Sequence, residues 1–378
     1  MSPYLLAFIV PIALSPIRKR STTAYVFLVA GIWAVFAGLR GEIGGTDYFI
    51  YKEVYLYPEE LISRLYTYER LFIALIRLCQ ALGFSYNGFL LVVAILGILP
   101  SVYVINKRSG LAELALFIYA IEFMLPYSFI FLRQGIALGL AFLALDALMD
   151  DRKIGALLFT VIAANFHYSA LILIPFIIVN REVKPGVRSG IYWTAAFAGI
   201  ALIIISFSEL GKVFAKGFVN KLLGHLIGGG MTINPLNFLE IYLIFVVLNR
   251  KRNKNSHPAL WNSFDLVLLF FIFGTIEAIF IRFAVYFKAG VLILLSRAVD
   301  KKRGIPGESD DGRDPVPLLG RLGSMSVRGK TAGEIANALF DARVLQIGVF
   351  CYYLAKIVRW LLLNVNDVAV FLPYRTIL

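Results

Sequence analysis

The sequence predicts an all-α polytopic membrane protein, with about 12 transmembrane helices and one further helix lying in the outer interface. Three observations predict it. Of 378 residues, 59% are hydrophobic, and the mean hydropathy is +0.78, where soluble domains run nearer ~45–50% apolar. The apolar runs recur along almost the whole length, which leaves no room for a large soluble domain. Short basic clusters separate them: Arg18-Lys19-Arg20, Lys107-Arg108, Arg152-Lys153, Arg250-Lys251-Arg252 and Lys301-Lys302-Arg303. That is how cytoplasmic loops are marked. It also removes nucleic acid as the explanation of a net charge of +13.

Taken in order, the candidate spans are 2–16, 22–38, 88–105, 111–126, 130–149, 154–166, 168–180, 191–207, 236–249, 262–280, 282–297 and 344–363. The first run has no basic residues before it and no small-residue cleavage site after it, so it reads as a span rather than a cleaved signal peptide. With Arg18-Lys19-Arg20 inside, the second span delivers the loop Gly38–Tyr51 to the outer side. Lys107-Arg108 must lie inside again, and the run 88–105 supplies the single crossing required. Segment 61–83 would break that parity. It carries Arg64, Glu69, Arg70 and Arg77, which are costly at the bilayer centre. Its apolar residues recur at helical spacing, so it is expected to lie in the outer interface, a tilted spanning helix being the alternative.

Residues 154–180 are too short for two full spans between cytoplasmic flanks. A hairpin of short helices is expected, with Asn165–Tyr168 at or below the membrane surface, lining a cavity. The runs 262–280 and 282–297 should meet at an outer junction near Arg282. Residues 300–342, rich in Gly, Pro and Asp, read as a flexible cytoplasmic loop. Residues 1–299 and 343–378 then form a single helical membrane domain. Cys79 and Cys351 are too few and too far apart for a metal site or a disulfide framework.

By this parity the chemically versatile residues gather on the outer side. Arg40, Asp47, Tyr48 and Tyr51 lie in the first loop, and Glu69 in the interfacial helix. Arg133 and Gln134 open a long apolar helix. His167 and Ser169 sit at the hairpin tip, and Arg282 with Tyr286 in a late apolar run. Each has an ordinary alternative: Arg40 as a charge flanking a span, Asp47 as a turn former, His167 as a packing histidine. Arg133 and Arg282 are harder to explain away, because arginine inside an apolar run usually marks a site. Guanidinium groups bind phosphate in bidentate fashion. Several of them at one membrane face predict a pyrophosphate on a lipid carrier, with a carboxylate or histidine as general base toward a sugar hydroxyl. No DxD pair, HExxH or Cys/His cluster indicates a metal, and no cofactor is expected.

Leu39-Arg40, Gly44-Gly45-Thr46-Asp47-Tyr48 and Tyr51 resemble the opening motif of the EpsG family, membrane proteins related to Wzy-type O-antigen and exopolysaccharide polymerases. Tyr68-Glu69-Arg70-Leu71-Phe72, Phe131-Leu132-Arg133-Gln134-Gly135-Ile136-Ala137, Phe166-His167-Tyr168-Ser169-Ala170-Leu171 with Pro175, and Arg282–Phe287 resemble further elements in the same order, and Pro373-Tyr374 its close. Gly41 stands where tyrosine is usual, and Arg70 where proline is usual. The resemblance implies a GT-C-like fold and a metal-independent glycosyltransferase in the bacterial inner membrane, its site on the periplasmic side. Such an enzyme would transfer glycan from undecaprenyl pyrophosphate to the non-reducing end of a lipid-linked repeat unit. Asp47 is then the first candidate for the base, with Glu69 and His167 behind it. Arg40, Arg133 and Arg282 are expected on the pyrophosphate, and Tyr48, Tyr51, Gln134, Ser169 and Tyr286 on the sugar. Membrane lipids, the lipid-linked glycan and a chain-length regulator are the expected partners. A flippase of lipid-linked oligosaccharide, a single-sugar GT-C transferase and an O-antigen ligase are the alternatives.

Overall fold

The computed structural model describes residues 3–41, 47–58, 68–181, 190, 257–274, 278–300 and 347–355, and every regular element among them is helical. Helix α1 (Pro3–Ala13) breaks before α2 (Ser15–Arg20), where the span expected over 2–16 ends in a proline-started turn of helix. Pro11 cannot donate to the carbonyl of Ala7. That carbonyl is instead taken by the indole N–H of Trp33 at 2.8 Å, which fastens α1 to α3 (Thr22–Gly38). The chain then forms α4 (Tyr48–Leu56), where the sequence suggested only loop. Residues 42–46, with the paired glycines of the first loop, lie outside the described residues.

Helix α5 (Arg70–Ala81) is the amphipathic segment. Its 12 residues rise about 18 Å, too short to cross a ~30 Å hydrocarbon core. Phe72, Ile76 and Cys79 are buried, while Leu71, Leu78 and Leu82 face outward. A cluster of aromatic rings ties α4 and α5 to the start of α6 (Tyr86–Arg108): Tyr55 stacks on Phe89, and the Tyr86 hydroxyl donates to the Tyr48 carbonyl at 3.0 Å.

Among the described residues, three helical stretches are long and apolar enough to cross a membrane: Tyr86–Arg108, Ala112–Phe129 and Leu132–Met149. The middle one comprises α7 (Ala112–Tyr119), a π-helical turn (Ala120–Met124) and α8 (Leu125–Phe129). Pro126 accounts for the wide turn, since its ring collides with the carbonyl of Glu122 in a regular α-helix. Helix α9 (Leu132–Met149) crosses α6 at a glycine contact. Pro100 leaves the Leu96 carbonyl without its helical donor, and Gly139 packs there. A Cβ on Gly139 would stand 2.8 Å from that oxygen and 2.6 Å from the Gly97 oxygen.

The expected hairpin is present as α10 (Lys153–Ala164), a 3-10 turn (Tyr168–Ile172) and α11 (Leu173–Val179). Helices α12 (Pro258–Gly274) and α13 (Ala278–Ala298) follow. Arg282 was expected at the junction between two spans; it stands instead inside α13, one turn before Tyr286, since that helix has already begun at Ala278. Residues 347–355 are helical. The spans expected at 191–207 and 236–249, and the loop at 300–342 beyond Asp300, lie outside the described residues.

The two ends of this bundle are chemically distinct. At one end Arg18 donates to Asn106 and Glu113, Arg108 pairs with Asp146 and Asp150, and Arg297 donates to the Arg108 carbonyl. Hydrogen bonds from Arg108 hold the Asp150 carboxyl down to about 2. At the other end Asn87 donates to the carbonyls of Gly38 and Arg40. Asn87 and Arg108 are on the same helix, and its rise sets them about 32 Å apart. That is a bilayer's thickness. Arg18, Arg108 and Arg152, from three of the basic clusters used to orient the chain, thus lie at one end.

Candidate active site

Glu69 is the centre of the other end. It precedes α5 in extended conformation and is only 3% exposed. Arg133 Nη1 donates to Glu69 Oε2 at 2.7 Å. Glu69 Oε1 lies 3.1 Å from His167 Nδ1 and accepts from the Tyr168 backbone N–H at 3.2 Å. The Leu71 N–H donates to the Asn165 carbonyl at 3.1 Å, so the start of α5 and the hairpin tip are joined by backbone as well. Tyr68 places its ring under the Arg133 guanidinium, 4.6 Å from the centroid, and the Tyr51 phenol is near enough to feel its charge.

Burial works to raise the Glu69 carboxyl. The hydrogen bond from His167 and the charge of Arg133 outweigh it, and the group is held below the usual carboxylate range. A carboxylate kept ionised in this way is a weak proton acceptor at neutral pH and a good orienting partner. It fixes the histidine tautomer: with Nδ1–H donated to Glu69, the assigned form leaves Nε2 as the acceptor. Burial pushes the Tyr51 phenol upward, against the opposing charge of Arg133, and the charges of Asp47 and Glu69 add to the rise.

A second layer lies beside the first. The Ser169 and Tyr286 hydroxyls are 2.8 Å apart, and the Gln134 side chain donates to the Arg282 carbonyl at 3.0 Å. The Arg282 side chain is exposed, and its guanidinium makes no hydrogen bond or ion pair among the described residues. Of the three arginines, it is the one left available to an incoming anion.

Depth follows from helix lengths. Helix α10 has 12 residues starting at the charged end, so His167 stands about 18 Å from that end. Arg133 is about 24 Å along α9 from Met149. Measured against the ~32 Å of α6, the cluster is recessed by roughly 10 Å below the far end of the bundle.

Some expected residues stand apart. Arg40 is 0% exposed. Its Nη1 donates to the carbonyls of Ala37 and Ser128 and its Nη2 to that of Phe129, with the Phe129 ring 5.0 Å away. These are last-turn carbonyls of α3 and α8, which lack helical donors and carry the negative ends of the helix dipoles. The guanidinium is occupied in joining two helix ends rather than presented to a phosphate. Asp47 precedes α4 and reaches the cluster through its charge on Tyr51. Tyr48 is buried against Tyr86. The sequence reading also passed over an ion pair deep in the bundle, Lys288 Nζ to Glu122 Oε2 at 3.1 Å. The signal was available, since a charged residue inside an apolar run had already singled out Arg133 and Arg282.

A bundle of apolar helices with one charged end, and a recessed carboxylate–histidine–arginine cluster near the other, defines a helical membrane protein with a polar site built inside it. Residues 23–305 match the EpsG family, and the chain belongs to that family, one of Wzy-like polymerases. No curated protein and no solved structure matches the chain.

Proposed function

We propose that the protein is a polysaccharide polymerase, transferring glycan from undecaprenyl pyrophosphate to the non-reducing end of a lipid-linked repeat unit at the outer face of the inner membrane. The observation that carries this reading is the pairing of Glu69 with both His167 and Arg133 in a recess at the end opposite the basic clusters. The positive-inside rule gives that end to the outer side, and the family match is consistent with the chemistry.

His167 is the base in this scheme. Its Nε2 takes the proton of the acceptor hydroxyl, whose oxygen attacks the anomeric carbon of the donor. The bond from that carbon to the pyrophosphate oxygen breaks, and the leaving pyrophosphate keeps the electron pair. Arg282, exposed and with no side-chain hydrogen bond or ion pair among the described residues, neutralises the developing charge, with Arg133 beside Glu69 assisting it; preorganised charge of this kind is usually the largest catalytic contribution. Glu69 holds His167 in the productive tautomer and keeps Arg133 in place. Asp47 tunes the centre through Tyr51, and Ser169 sits beside the sugar, held from behind by the buried Tyr286, while Gln134 braces the Arg282 backbone. Arg40 is left out of the phosphate set because it is fully buried and both its terminal nitrogens donate to carbonyls.

The test is elongation in reconstituted membranes given lipid-linked repeat units. Arg282→Ala should cut the rate at least tenfold, as loss of one charge-stabilising donor does. If Arg133→Ala and Arg282→Ala both polymerise at the wild-type rate, the phosphate role is wrong.

A further inference from the structure

The geometry points to the ring of Tyr168 as a stacking platform for a pyranose unit of the glycan, placed beside His167 at the tip of the hairpin. This assignment rests on the glycosyl-transfer reading of the site and gives it a sugar subsite that none of the buried tyrosines supplies. Tyr48, Tyr51 and Tyr286 all have their rings inside the protein, whereas Tyr168 is 59% exposed.

Two features distinguish this exposure from an ordinary surface tyrosine. The backbone is held on every side. The Tyr168 N–H donates to Glu69 Oε1 at 3.2 Å, the preceding His167 is bonded to the same carboxylate, and the following Ser169 reaches Tyr286 at 2.8 Å. The Ala170 N–H closes the turn onto the His167 carbonyl at 3.0 Å. A large ring projecting from a pinned backbone loses little freedom when something stacks on it. The second feature is depth. Tyr168 follows the 12-residue α10 and stands about 18 Å from the charged end, in a bundle about 32 Å long. An interfacial belt tyrosine sits at headgroup level, and a phenol turned into hydrocarbon at this depth would leave its hydroxyl without a partner. Beside Glu69 and His167, on the polar side of the hairpin tip, it meets partners.

The chemistry of the occupant follows. An aromatic face carries negative quadrupole density, and the axial C–H bonds on one face of a pyranose present the complementary positive edge. In the 3-10 turn, Leu171 eclipses Tyr168 and is also exposed, widening the apolar platform under a sugar ring. A sugar lying there would hold its free hydroxyl near His167.

The experiment uses the full chain in lipid nanodiscs with Tyr168→Trp as a reporter and, as ligand, the lipid-free repeat-unit glycan released by mild acid from host membranes. Adding the glycan should quench or shift the fluorescence contributed by Trp at this position, with no change in the wild-type protein. Tails brominated in the bilayer should leave that emission unquenched. In the elongation assay Tyr168→Ala should raise the acceptor KM about tenfold with kcat nearly kept, the pattern of lost uniform binding, and Tyr168→Phe should behave as wild type. Quenching by the brominated tails without any response to glycan overturns the subsite, as does an unchanged KM in Tyr168→Ala. The larger reading fails separately: a glycan response without elongation in any variant sustains the sugar platform and removes the polymerase.

Discussion

Glu69 and Arg133 are 64 positions apart in the chain and 2.7 Å apart in the fold. The first stands at the entrance to a helix too short to span, the second in the opening turn of a helix long enough to do so. Their pairing fixes α5 to the bundle, and the remaining carboxylate oxygen turns to His167. One buried acid therefore serves both as tether and as orienting partner.

Replacing that acid separates the two roles. Glu69→Gln keeps the shape and can still accept from the Tyr168 N–H, so folding should survive with a loss of about 1–3 kcal/mol, less than for a fully buried pair because Arg133 is partly exposed. Elongation should fall by about two orders of magnitude or more, the scale of positioned acid–base help, because the neutral amide no longer stabilises the imidazolium formed when His167 takes a proton and no longer anchors Arg133. Melting in detergent read beside the elongation rate tests the split.

The pH dependence of the tether has a definite sign. The folded Glu69 carboxyl lies below its usual range, so its contribution to stability is fully present above the ordinary carboxylate value and fades as pH falls through the lower folded value. The stability difference between wild type and Glu69→Gln should therefore be constant from neutral pH down to about 5 and shrink only in stronger acid. A difference that shrank between pH 8 and 6 would contradict this.

Arg40 and Arg282 should fail in opposite ways. Arg40→Met strips donors from three buried carbonyls and should cost about 2–4 kcal/mol at ~1 or more per orphaned group. Arg282→Ala should leave melting unchanged and lower turnover. Thermal unfolding of the two variants, compared with their elongation rates after matching for folded protein, decides whether Arg40 is a helix-end clamp.

At the α6–α9 crossing, Gly139→Leu has no room, since even a Cβ there meets two carbonyl oxygens under 3.0 Å. Separation of the helices should cost about 1–3 kcal/mol or more and shift Arg133 with α9. Folded yield in detergent is the measurement, with Gly155→Leu as a control in a roomier setting.

Much of this was legible in the chain. Hydropathy and basic clusters placed the helices because a bilayer imposes length and charge rules on every span. Parity, four charged residues and helical spacing marked 61–83 as non-spanning, and the short α5, in the described part of it, agrees. What the sequence concealed was direction. Arg40 beside a glycine-rich loop looked like a ligand for phosphate, yet only coordinates reveal that two helix ends converge on it. Asp47 was the first choice of base on the resemblance of its loop, whereas the contact of Glu69 to His167 depends on chain segments 98 residues apart. The junction misplaced at Arg282 has a similar origin: α13 is apolar straight through that arginine, and composition alone gives no stop between 275 and 282.

The most direct test of the central claim is to give the purified protein, reconstituted with a single defined lipid-linked repeat unit, and resolve the products by size. The account predicts a ladder of lengthening glycan on the lipid carrier, abolished by His167→Ala. A starting unit that remains unextended, or a ladder undiminished in His167→Ala, would contradict it.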